Sequence, residues 1–388
     1  MSDPFIAAML TGNTGDAPSI NESQAMGLSA LYRAVSLVSG QIATLPLRTL
    51  RTNRDDTRER VRSWLDEPGY TQWTPLEWKE LCAVHLLLHG NAYGQHIYNG
   101  GGALVGLNWI HPLAVQVEAD AEKAGGRKYT VDLGNGKSKE FDADTLTHVM
   151  GLSLDGLKGI SPISAARLSL GTALAGDKAA HRMQTRGAMI AGLITPDGDE
   201  DLTAAEATTV KDTVSRAMMG VENAGDVAVI NRRLKFTPWQ LSAVDAQFMA
   251  SRAFSVEEVG RWYGVPPHLL GQIDKQTSWG TGVAEQNRGL ARYTLTPWTS
   301  RIEQRCSRLL SRSQIAEFDY SAFLAPAPED EIRLLLEQVN GGLLLPNEAR
   351  RIRNLPPVEG GDKMRIPAGA SDPNAPAPAG SPSEEDAA

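Results

Sequence analysis

Tyr263-Gly264-Val265-Pro266-Pro267-His268-Leu269-Leu270-Gly271 is the stretch on which the fold of this chain turns. Upstream of it, Leu241, Val244, Phe248, Val256, Val259 and Trp262 recur at spacings that fit one helical face, opened by Ser242 and Asp245 in the manner of a capping box. Gly264 and the two prolines stop that helix, because proline removes a backbone donor and restricts the residue before it. From His268 to Gly282 the chain is polar and punctuated by glycine, with Lys275, Gln276, Thr277, Ser278 and Trp279 at its centre. Helical patterning resumes at Val283 and passes through Leu290, Tyr293, Trp298, Ile302 and Leu309, with a kink expected at Pro297.

Working outward toward the N-terminus, residues 1–25 are polar and expected to be flexible. A helix follows from Ser29 to near Gly40, then a strand over Leu45 to Leu50, then a charged loop from Arg51 to Arg62. Thr74-Pro75 opens the next helix, with Thr as its cap and Pro in its first turn, and Gly90-Asn91 closes it. Ala92 to Tyr98, Leu107 to Val117, Tyr129 to Leu133 and Thr145 to Met150 read as strands between turns, giving an α+β domain over 26–160. Ser161-Pro162 starts a second long helix, expected to reach Arg186 at roughly 40 Å.

A compact unit comes next. Ile190 to Thr195 reads as a strand, Thr203 and Glu206 as a capping box, Val210, Val214 and Ala217 as the inner face of a helix, and Asp226 to Ile230 as a second strand. Beyond Phe318-Asp319-Tyr320 an amphipathic helix carries Ile332, Leu335, Leu336 and Val339 and stops at Asn340-Gly341-Gly342. A short helix then starts near Asn347, and 361–388, rich in Pro, Ala, Gly and Ser, is expected to be disordered.

Composition limits the function. The net charge, 38 basic minus 46 acidic residues, is −8, which argues against gripping nucleic acid over the whole surface but not against letting it slide past. No apolar run approaches the roughly 20 residues of a membrane span, and Met1 to Leu10 lacks the build of a secretory signal. Cys82 and Cys306 provide no disulfide framework. His85 and His89 lie four apart on one helix, but Leu86 stands where a zinc protease needs glutamate, so both read as structural. Gly171 to Lys178 fails as a phosphate loop because Asp177 interrupts it and Ala179 replaces the required hydroxyl. No catalytic constellation, metal cluster or cofactor site emerges. The competing reading is a metal-dependent enzyme on nucleic acid using Asp197, Asp199, Glu200 and Asp201, but carboxylates just before a helix also suit its dipole without a metal.

Several segments together resemble the portal proteins of tailed bacteriophages of the HK97 type. They are Gln247-Phe248, Val256-Glu257-Glu258-Val259, the quoted stretch, Glu285-Gln286, Thr294-Leu295-Thr296-Pro297-Trp298 and Ile302-Glu303, with Tyr32-Arg33-Ala34-Val35 and Leu107-Asn108-Trp109-Ile110-His111-Pro112 nearer the N-terminus. The resemblance spans roughly Met26 to Pro357 and implies an α+β portal fold. Its wing would be 26–160 and 283–325, its stem helices 161–189 and 238–263, its clip 190–237, its tunnel loop 264–282 and its crown 326–360. It also implies a non-enzymatic subunit of a dodecameric ring at one capsid vertex, assembled in the host cytoplasm. DNA would pass the loop residues Lys275, Gln276, Thr277, Ser278 and Trp279. Terminase and head–tail connector proteins would dock on a clip presenting Glu206, Lys211 and Arg216, and the major capsid protein would surround the ring. A gene-transfer particle would use the same subunit.

Overall fold

Two helices form the spine of the main body. The computed structural model describes residues 20–185, 192–196, 203, 205–206, 208–209, 234–238, 254–271, 288–324 and 328–364. Helix α1 (Glu22–Met26) leads into α2 (Ser29–Thr44), which packs along α3 (Pro75–His89). Helix α2 runs past Gly40 because Ile42 and Ala43 are buried in its last turn, and it stops where Pro46 holds Leu45 extended. Helix α3 begins with the expected Thr74 cap, which Glu77 completes into a capping box by exchanging hydrogen bonds with it, and ends on Gly90 at φ +70°. Trp78 sits at the centre, fully buried. Its indole N–H donates to the Leu107 carbonyl and its own carbonyl accepts from the Trp109 indole, both at 2.9 Å.

Small antiparallel sheets surround the spine. In the first, β1 (Leu47–Thr52) lies between β11 (Gln314–Phe318) and β2 (Arg58–Val61). Strand β2 falls inside the segment expected to be a charged loop. It is an exposed edge strand held by Arg51–Glu59 and Arg58–Glu317 ion pairs, so it shows no apolar alternation. In the second, β3 (Asn91–Tyr98) is flanked by β4 (Leu104–Ile110) and β8 (Leu146–Met150), with Tyr93 opposite both Ile110 and His148. The third contains β5 (Val115–Ala119), β6 (Arg127–Asp132) and β7 (Ser138–Phe141). Tyr93, Val117, Tyr129, Phe141 and Leu146 share one buried cluster between these last two sheets.

The long helix is interrupted. Helix α4 (Pro162–Ala165) stops at Ala166, whose φ −87° and ψ 5° are not α-helical, and α5 (Arg167–Thr185) follows. Strand β9 (Gly192–Pro196) pairs antiparallel with β10 (Leu234–Pro238), Lys235 opposite Thr195. The second strand expected at Asp226 to Ile230 lies outside the described residues, as do Val210, Val214 and Ala217. Helix α6 occupies 254–263, and α7 (Thr296–Ser307) follows a six-residue π-helix, Leu290–Leu295. The described residues 320–324 and 328–364 belong to a separate compact unit, in which α8 (Pro328–Asn340) packs on α9 (Pro346–Ile352) and Arg353 pairs with Glu331 at 2.9 Å.

Candidate functional site: the two sides of the 272–287 segment and the root of the long helix

Gly264 ends the 254–263 helix by adopting φ +67°, and the Val265 N–H returns to the Gly260 carbonyl at 2.9 Å. Val259, Tyr263 and Val265 are buried, which seats the turn, and burial pushes the Tyr263 phenol pKa up. Pro266 then directs the chain into a 3-10 turn over Pro267–Leu270, closed by Gly271 at φ +91°. Two side chains fix this geometry. Arg33 of α2 donates from Nε to the Leu269 carbonyl at 3.1 Å, and the Thr294 hydroxyl donates to the Gly264 carbonyl. The chain therefore leaves for 272–287 and returns from it at points tied together through Gly264 and Thr294.

The return is the π-helix. Thr296 donates from both its amide and its hydroxyl to the Ala291 carbonyl, five residues back, the hydroxyl at 2.9 Å. Pro297, next in line, has no N–H to offer, and the irregular winding falls on 290–295, just ahead of Thr296 and the proline expected to kink the helix. Leu290, Ala291, Thr294 and Leu295 face inward, whereas Tyr293 is 75% exposed with the Arg292 guanidinium 5.9 Å from its ring centroid. Lys275, Gln276, Thr277, Ser278 and Trp279 lie outside the described residues.

Of the residues expected on the clip, Lys211 and Arg216 also lie outside the described residues. Glu206 is described, and its Oε2 accepts from the Thr203 amide at 3.0 Å and the Thr203 hydroxyl at 2.8 Å, so its carboxylate holds a helix cap. Asp197, Asp199, Glu200 and Asp201 are not among the described residues.

The long helix is rooted by side-chain bonds invisible in sequence. Asn91 Nδ2 donates to the His89 and Gly159 carbonyls, each at 2.8 Å. Its Oδ1 accepts from the Gly159 amide at 2.7 Å and from His148 Nε2 at 2.9 Å. The backbones touch: a Cβ on Gly90 would lie 2.1 Å from the Ile160 carbonyl oxygen, and one on Gly159 would lie 2.0 Å from the Gly90 oxygen. Ser161, the cap of α4, donates its hydroxyl to the Leu88 carbonyl at 2.8 Å. Burial above all, with the positive charges of Arg127, Arg305 and Lys158, pushes the His148 pKa down to about 3 and keeps the ring neutral.

The histidines of α3 have a partner that sequence spacing did not reveal. His89 contacts Glu22 of α1, and His111, after β4, lies 3.4 Å from the same carboxylate oxygen. His85 is buried one turn earlier, its pKa pushed down to about 3 by burial and, less strongly, by His111 and His89.

This architecture is a known one. A chain from the neck of an empty gene transfer agent particle superposes with a TM-score of 0.60 at 22% identity, covering 91% of this chain and 99% of that one. The crystal structure of an HK97 family phage portal protein from Corynebacterium diphtheriae gives 0.60 at 19% identity, covering 81% and 100%. The fold is thus the α+β portal fold. Sequence similarity agrees: the portal protein of Enterobacteria phage HK97 is 30% identical over 362 residues, covering 90% of this chain and 84% of that protein. A probable portal protein of Streptomyces phage phiC31 is 31% identical over 368 residues, covering 90% and 79%. The family model described as phage portal protein matches residues 29–354, and this chain belongs to that family.

Proposed function

We infer that this chain is the repeating subunit of a portal ring, a structural component of a phage or phage-like particle through which DNA is packaged and ejected. The observation that carries the reading is the family match over 29–354, spanning the body, the long helices and the loop between them. The ring is a dodecamer at one capsid vertex, surrounded by the major capsid protein and built in the host cytoplasm. Residues 190–237 form its clip, where the terminase large subunit docks during packaging and head–tail connectors dock afterwards. Lys211, Arg216 and Glu206 belong to that surface. Residues 26–160 and 283–325 form the wing, 161–189 and 238–263 the stem, and 326–360 the crown. The subunit does no covalent chemistry; the work of packaging belongs to the terminase.

The loop 264–282 faces the channel. Ring symmetry turns a single Lys275 into a belt of positive charge, which centres a polyanion, while an acidic surface elsewhere limits sticking. The anchoring of both loop ends through Gly264 and Thr294 supports this reading, because a probe of a passing duplex needs a fixed base. The similarity to a gene transfer agent neck supports the same role in a gene-transfer particle as a second setting.

Electron microscopy of the purified full-length chain across a range of salt tests the assignment. Rings with a central hole are expected. A stable monomer at micromolar concentration, with no rings in any condition, would refute it.

A further inference from the structure

Glu22, His89 and His111 come from three separate parts of the chain and converge away from the channel loop. Glu22 is fixed by the α1 capping box, in which Asn21 and Gln24 exchange hydrogen bonds, and by the burial of Ala25 and Leu28. His89 lies in the last turn of α3, and His111 heads the 3-10 turn after β4. One donor atom from each of Glu22, His89 and His111 lies within 4.8 Å of the other two, and Glu22 Oε1 meets both histidines through Nε2. Glu22 Oε1 and His89 Nε2 are buried atoms in contact, with no hydrogen bond elsewhere among the described residues. His85, buried with Nδ1 unpartnered, places its ring centroid 5.6 Å from that of His111.

We propose that Glu22, His89 and His111 bind a divalent transition-metal ion, with zinc the best chemical match, and that the ion clasps α1 onto the end of α3 and the β4–β5 corner. Two imidazoles and a carboxylate are the donor set of zinc and its neighbours rather than of magnesium or calcium, which take oxygen ligands. Zinc–nitrogen bonds of 2.0–2.1 Å put neighbouring donors of a tetrahedral site roughly 3.3 Å apart. His111 and Glu22 already stand at 3.4 Å, whereas His89 and Glu22 touch and must part to admit the ion. Burial favours neutral His89, the form that ligates. The His89 side chain is 11% exposed and that of His111 50%, so the site has a closed back and an open side for the ion to enter. Three protein ligands leave the fourth position to water.

The alternative occupant is a proton. His111 Nδ1 accepts from the Leu113 amide at 3.3 Å, which in the neutral ring places the hydrogen on Nε2, facing Glu22. Metal binding through Nε2 moves that hydrogen to Nδ1 and gives up the Leu113 contact, which is at the long end of hydrogen-bond range. Zinc chloride, with Co2+ as a spectroscopic substitute, is titrated into untagged, EDTA-stripped full-length protein. About one ion per chain should bind, and Co2+ should show the strong visible absorption of a tetrahedral site. Glu22→Gln and His111→Ala should each weaken binding by more than the roughly 10–100-fold lost when only a ligand's supporting partner is removed. His111 is half-exposed, so His111→Ala should keep the apo melting temperature and circular dichroism of the parent, which separates lost binding from lost folding. No binding to the parent, or equal binding by both folded variants, would overturn the proposal and leave the cluster held by protons alone.

Discussion

Replacing Asn91 by alanine should loosen the root of the long helix more than any exposed substitution of similar size. The side chain is 7% exposed and makes four hydrogen bonds of 2.7–2.9 Å, donating to the His89 and Gly159 carbonyls and accepting from the Gly159 amide and His148 Nε2. Alanine deletes all four and leaves two donors and two acceptors facing a small polar void. Each bond is worth about 1 kcal/mol net, and each group left buried without a partner costs about 1–3 kcal/mol. Water can enter and satisfy part of that set, so the expected loss is roughly 3–5 kcal/mol rather than the full sum. The contacts of the Gly90 and Gly159 backbones allow little inward collapse to compensate.

Two assays read this. Urea unfolding at matched protein concentration should show a lower midpoint with an unchanged slope, concentration being fixed because assembly adds to apparent stability. Amide exchange at Gly159, whose N–H bonds to the missing side chain, should accelerate by roughly a hundredfold or more, since about 1.4 kcal/mol is a factor of ten. Asn91→Asp keeps the two accepting bonds but sets a buried carboxylate oxygen against the His89 and Gly159 carbonyls, so it should cost at least as much as alanine. A loss within about 1 kcal/mol for Asn91→Ala, with Gly159 exchange unchanged, would refute the claim that this side chain anchors the helix.

His148 makes stability depend on pH. Its folded pKa of about 3 lies below the ordinary 6.5, so between these values the unfolded chain binds the extra proton and stability falls as pH drops through that window. The contribution is at most roughly 5 kcal/mol, and His148→Gln should flatten the difference between pH 7 and pH 4; parallel curves would refute it. Gly264→Ala puts a Cβ 3.0 Å from the Thr294 hydroxyl at φ +67°, so it should cost about 1–3 kcal/mol and speed amide exchange over 260–271, and an unchanged melting curve would count against it. Lys275→Glu should leave rings and particles assembling normally but lower the DNA per particle, by replacing a belt of attraction with one of repulsion. Counting particles and measuring their DNA separately tests this, and full-length packaging at parental yield would remove Lys275 from the channel surface.

Much of the local structure was legible because it is written in neighbouring residues. Thr74-Pro75 and Ser161-Pro162 cap helices where expected, Gly90 and Gly264 end theirs in the left-handed region, and β3, β6 and β8 fall where branched and aromatic residues cluster. Misreadings arose where a local signal was overruled from a distance. Gly40 invites a helix end, but buried Ile42 and Ala43 carry α2 another turn to Thr44. Arg58–Val61 shows no strand pattern because its stabilising partners, Arg51 and Glu317, lie on other strands. His85 and His89 read as structural from their spacing, which does not show that His89 meets Glu22, 67 positions earlier, a relation no periodicity encodes.

Four side-chain-to-backbone bonds share one pattern: they lie where long segments leave and rejoin the body. Asn91 and Ser161 join the end of α3 to the start of α4, while Arg33 and Thr294 secure the two sides of the 272–287 segment. Each is a side chain gripping a backbone group, which fixes the position of the chain without dictating the sequence that lies beyond. A bond of this kind transmits displacement in both directions, since a shift in α2 moves Arg33 and with it the Leu269 carbonyl. Helices α2 and α3 pack along each other, so the base of the 272–287 segment and the root of the long helix rest on one rigid support. Any pull on the long helix is then carried to the loop base through two packed helices and a few short hydrogen bonds. Arg33→Ala cuts that connection at one end and Asn91→Ala at the other, and if the support is shared, each should raise amide exchange at its own anchor and, more weakly, at the other.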